Sequence, residues 1–129
     1  MGSDAQWFVL VEGNFGYGSE KQWVLMEKHH VDGDRATALS QAEEICRIWC
    51  PGSWTAEDSG RVVFQISESS WLVEVTHEDW SERNHRAYTD ERTIRVTVAH
   101  LAYAKETPPA HPPEKPEKKA GGLRRAFGG

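Results

Sequence analysis

The sequence predicts an α+β domain: a mostly antiparallel five-stranded sheet with one helix packed on one face, in the order β-β-α-β-β-β. Three observations carry it. Residues 61–78 alternate apolar and polar positions on two arms around a short polar turn. Ala38, Leu39, Ala42, Ile45, Cys46 and Trp49 recur at intervals of three and four, which puts them on one stripe of a helix. Strand-like runs flank both features, at 6–12, 20–31 and 93–105. Strand runs around a single helix favour an antiparallel sheet with the helix on one face.

Taken in order, residues 6–12 (QWFVLVE) are almost wholly apolar and read as an inner strand. Gly13, Gly16 and Gly18 then make a loop that presents Phe15 and Tyr17. Trp23, Val24, Leu25 and Met26 resume a strand that pairs antiparallel to the first. Asp34 has the chemistry of an N-cap ahead of Arg35, and Pro51-Gly52 stops the helix about four turns later. Ile48 sits off the apolar stripe.

In the pair of strands at 61–78, Val62, Phe64 and Ile66 on the first arm and Trp71, Val73 and Val75 on the second are expected to form one buried face, with the pair at the centre of the sheet. Residues 79–92 are charged with scattered aromatics and read as a loop. Ile94, Val96 and Val98 mark the last strand.

From Thr107 the composition changes. Five of the six prolines fall between Pro108 and Pro116, so the domain is expected to span 1–106 and to be followed by a disordered proline-rich spacer and basic peptide, 107–129. Charge divides the same way. Residues 1–106 hold 10 Lys and Arg against 18 Asp and Glu, a net of −8, and 107–129 hold 5 against 2, a net of +3. An acidic domain argues against a nucleic-acid-binding face, because phosphate contacts need clustered Lys and Arg; the tail is the better candidate for any such contact.

No run approaches the ~20 apolar residues of a membrane span, and the start lacks the basic and apolar segments of a secretory signal. Gln6 stands where a myristoylation start wants Ser or Thr. Cytoplasmic residence, with no membrane contact, is the default expectation.

No catalytic residue, metal site or cofactor is assigned. His29 and His30 are adjacent in a strand and point to opposite faces, and Cys46 and Cys50 suit core packing on the helix better than ligation. Both thiols lie in the C-terminal half of the helix, where the dipole opposes a thiolate. Glu74 with Glu78, and His77 with Asp79, are acid-base pairs in need of a cleft.

The six tryptophans are the most telling surplus. Trp7, Trp23, Trp49 and Trp71 lie in predicted elements. Trp54 and Trp80 lie in connections beside Glu57, Asp58, Glu78 and Asp79, as aromatic anchors within a charged rim do at protein-binding faces; alternatively they fold back to cap the core. The expected function is therefore a non-enzymatic protein-binding module, an adaptor or an inhibitor of a basic partner. Its contacts are Trp54, Trp80, Phe15 and Tyr17 on the domain and Leu123, Arg124, Arg125 and Phe127 on the tethered peptide.

The final Leu123-Arg124-Arg125-Ala126-Phe127-Gly128-Gly129 resembles the end of ubiquitin-like modifiers and sulfur carriers, which finish in a basic stretch and Gly-Gly. That resemblance implies a β-grasp domain whose Gly129 carboxylate is adenylated by an activating enzyme. A small enzyme or ligand-binding domain using the sheet face is the third reading.

Overall fold

A computed structural model of the chain describes residues 5–16 and 18–113. Five strands and one helix run β1 (Trp7–Phe15), β2 (Gln22–Val31), α1 (Arg35–Ile48), β3 (Ser59–Ser67), β4 (Ser70–Ser81) and β5 (Arg86–His100), with a short 3-10 turn at Gly18–Glu20. The strands form one sheet in the order β2-β1-β5-β4-β3, every neighbouring pair antiparallel. The fold is the α+β arrangement the sequence predicts. Among the described residues no helix is long and apolar enough to cross a membrane.

The helix begins where the N-cap chemistry places it. Asp34 is extended, and its Oδ1 accepts from the Thr37 N–H at 3.0 Å and from the Thr37 hydroxyl at 2.9 Å. These two donors hold the Asp34 carboxyl below its ordinary value. Strong helix formers fill the interior, and the small residues Ala38, Ala42 and Cys46 on the inner stripe let the helix approach the sheet closely. The helix stops at Ile48 because Pro51 disfavours helical backbone at Cys50. Trp49 ends it, its N–H donating to the Ile45 carbonyl at 2.8 Å, and Ile48 is exposed, as its position off the stripe predicts.

Beneath α1, alternate residues of three strands make the core: Val9 and Val11 of β1, Ile94, Val96 and Val98 of β5, and Trp71, Val73 and Val75 of β4. Near the rim, a Cβ added at Gly13 would lie 2.8 Å from the Met26 sulfur and 3.1 Å from the Ile94 Cγ2. Glycine there lets the flexible thioether lie against the sheet.

The structure corrects three expectations. Residues 79–92 are not a loop: β4 continues to Ser81 and β5 begins at Arg86, so the charged stretch is a long β-hairpin arm with its turn at 82–85. The central strand is β5, and β3 lies at the sheet edge, so the β3–β4 pair is not the centre. Finally, Val62 and Phe64 do not share a face with Val73 and Val75. Ser67 pairs with Ser70 and would by simple counting put Phe64 opposite Val73, but the register shifts between Gln65 and Ser67. The extra residue, Ile66, moves the arm by one and turns its alternate side chains over. Val63 consequently pairs with Val73, Phe64 with Leu72 and Val62 with Glu74.

Two outcomes follow for stability. Ile94→Ala should lower unfolding free energy by about 2–5 kcal/mol in urea titration, as for buried aliphatic truncations, while exposed Val62→Ala should stay within about 0.5 kcal/mol. Asp34 has a folded pKa below its ordinary 3.8, so its contribution is complete above that value and is lost as pH falls through the lower folded value. The melting-temperature advantage of the native chain over Asp34→Asn, which can cap but not ionise, should therefore shrink as pH is lowered below 3.8.

Candidate functional site

Three segments that are separate in sequence lie toward one end of the sheet. β1 ends in Phe15, the segment after α1 brings Trp54, and the β4–β5 arm carries Trp80 beyond the last residues that β1 pairs with. Phe15 is 68% exposed and Trp80 57% exposed, whereas Trp54 is half-buried against the core. Phe15 follows Val11 and Gly13 on the helix side of the sheet, whereas Trp80 stands on the opposite face, so the two share an end of the domain but not a face. Tyr17, Leu123, Arg124, Arg125, Phe127 and Gly129 lie outside the described residues.

Trp54 caps the core rather than projecting. Its ring stacks on His77 with centroids 4.9 Å apart and planes 17° from parallel, and the Arg92 guanidinium lies 5.4 Å from its centre. Arg92 is fixed by its own neighbours: Nη1 donates to Asp90 Oδ1 at 2.8 Å and to the Glu91 carbonyl at 3.2 Å. His77 Nδ1 is buried and 3.4 Å from Asp79 Oδ1, close enough for attraction when protonated but not aligned as a hydrogen bond. Strand alternation explains the set, since His77 is paired with Asp90 and Val75 with Arg92 on the helix side of the sheet.

Beside this group is a cleft of ≈ 450 Å³, lined by Phe15, Lys21, Met26, Trp49, Cys50 and Arg92 among others. Its wall is held by Trp49, whose indole N–H donates to Glu27 Oε2 at 3.0 Å, while the other carboxylate oxygen, Oε1, meets His29 at 2.7 Å. Below Cys50, Arg61 ties β3 to the end of the helix: Nη1 donates to the Cys46 carbonyl at 3.0 Å, and Nη2 lies 3.2 Å from the Cys50 sulfur. A guanidinium at the C-terminal end of a helix satisfies a carbonyl that has no partner in the helix and complements the dipole.

Arg61, Arg92 and Trp49 are the members that sequence reasoning missed. Their signal was faint: Arg61 opens an apolar strand just after the helix, and Arg92 alternates with Asp90, a pattern visible only if 79–92 is read as strand. The histidines separate as expected, His29 meeting Glu27 and His30 lying edge-on to Phe8 at 5.2 Å on the opposite face.

The two thiols differ in surroundings. Cys46 is fully buried, and burial together with the Glu43 charge pushes its pKa up to about 11; Cys50 is half-buried at the cleft. In native buffer near neutral pH, iodoacetamide should label Cys50 ahead of Cys46, and Cys46 should become labelled only on unfolding, as read by peptide mass mapping.

The chain matches no known protein-family model, no curated protein and no solved structure, so the reading of this end of the domain rests on its own residues.

Proposed function

We propose that this chain is a protein-binding module that engages its partner at the end of the sheet bearing Phe15 and Trp80. The observation that carries the reading is that two large aromatic side chains from separate hairpins are both mostly exposed at that one end. Aromatic anchors inside a charged rim are the usual composition of interface hot spots. Glu78 lies two residues before Trp80 on the same face, and the stretch 78–92 holds five carboxylates against Arg83, Arg86 and Arg92, a net negative arm that favours a partner with a basic surface. The ordered interior behind them, with Trp54, His77 and Arg92 locked together, supports a preformed rather than an adaptive contact.

The basic peptide at 123–127 is the second contact in this reading, joined through the proline-rich spacer so that its binding is favoured by high effective concentration. Conjugation through Gly129, on the likeness of the terminal Gly-Gly to ubiquitin-like modifiers, is the alternative. The cleft supports a third reading, a small-ligand site, because its volume of ≈ 450 Å³ falls within the range of such pockets.

Affinity capture with the full chain, with Phe15→Ala, with Trp80→Ala and with a chain ending at Lys105 tests the proposal. A partner captured by the full chain should bind Trp80→Ala and Phe15→Ala at least about tenfold more weakly, the scale of interface hot spots. Truncation at Lys105 should weaken the same partner less. Capture unchanged by both aromatic substitutions would remove this end of the sheet as the contact, and adducts linked through Gly129 in mass spectra would favour conjugation instead.

A further inference from the structure

The two edges of the sheet are built differently. The β2 edge carries Glu27, Lys28, His29 and His30 and is interrupted opposite Val11 and Glu12 by a bulge. Charges and bulges of this kind discourage another strand from pairing with an edge. The β3 edge has neither in its regular part. Ser59 to Gln65 runs without interruption, its bulge comes only at Ile66, and Arg61, its one ionisable side chain, is turned inward onto the end of α1.

Apolar side chains on β3 are uncovered on both sides of the sheet. Val62 is 48% exposed and Phe64 51% on the open face, and Val63 is 39% exposed on the helix face, where α1 does not extend over it. Among the described residues such a strand offers an unpaired row of backbone N–H and C=O groups flanked by apolar surface on each side, the arrangement used in strand addition.

The pattern is also self-complementary. If β3 meets a second β3 antiparallel about a two-fold axis at Val63, then Val63 faces Val63 of the second copy. Val62 and Phe64 face each other's counterparts across the open face. Arg61 falls opposite Gln65, and within residues 59–67 no like charges meet. An alternative pairing of two open sheet faces is opposed by charge. Arg95 and Glu12, 3.6 Å apart, lie on that face together with Glu74, and all would be taken out of water.

We propose that the chain dimerises through β3, two copies joining edge to edge into one continuous ten-stranded antiparallel sheet, about the largest that a twisted open sheet usually reaches. This inference is independent of the protein-binding reading above, because Phe15 and Trp80 belong to other strands and stay free in the paired arrangement.

Light scattering after size exclusion, on the full chain from micromolar to near-millimolar concentration, should show a rise from the 14.6 kDa of one chain toward twice that mass. Val63→Lys and Val63→Glu should each hold the chain at the mass of one copy while leaving its circular dichroism unchanged, and mixing the two should restore the doubled mass. Hydrogen exchange of the unsubstituted chain gives a second readout, in which β3 amides should slow as concentration rises. A chain that stays single at the highest concentration, a dimer undiminished in folded Val63→Lys, or β3 exchange independent of concentration would each overturn the proposal. The last of these would point to a segment of the same chain, rather than a second copy, on the edge.

Discussion

One helix cannot cover five strands, and the rest of this structure follows from that constraint. A helix is about 10–12 Å across with its side chains, while five strands spaced about 4.8 Å apart span on the order of 19 Å between the outermost axes. The buried residues show where the helix is placed: Ala38, Ala42 and Cys46 seal against valines and Ile94 of β1, β5 and β4, and the sheet edges are left to other devices. On the β2 side Glu27 bonds Trp49, so a carboxylate and an indole extend the cover beyond the helix. On the β3 side Arg61 reaches under the helix end, and beyond it the strand is bare.

Much of the fold was legible because its elements have strong periods. The Asp34 cap, the helical stripe and the alternation at 71–75 each follow from a local rule, and each is found where that rule puts it. The faults arise where a single residue or a distant strand decides. One bulge at Ile66 inverts the faces of Val62 and Phe64, and nothing in RVVFQIS marks that residue as the extra one; a regular strand and a bulged one share the same composition. The arm at 79–92 was obscured for a different reason. Its side chains are charged on both faces because neither face packs on the core, so the alternation that identifies a half-buried strand is absent.

The candidate site was legible only in part. Phe15, Trp54 and Trp80 could be singled out by type and position, but their placement toward one end depends on β1 and β4 both flanking β5. The division of labour among them is likewise tertiary. Trp54 is drawn inward because His77 and Arg92 face the helix side at the register set by β4–β5 pairing, while Trp80, an odd number of residues further along the strand, stands on the other face.

The central place of β5 also bears on how the chain is assembled during synthesis. Among the described residues this strand is the last in sequence and alone joins the β1–β2 hairpin to the β3–β4 pair, and the pairing of Trp7 with His100 closes a loop of nearly the whole domain. Contacts so far apart in sequence form slowly, because a long segment must be ordered before they are made. Until residues 86–100 have left the ribosome, α1 can pack on β1 and β2, but the β3–β4 pair lacks the strand that joins it to them. Strands left without their neighbours are the ones most open to wrong pairing.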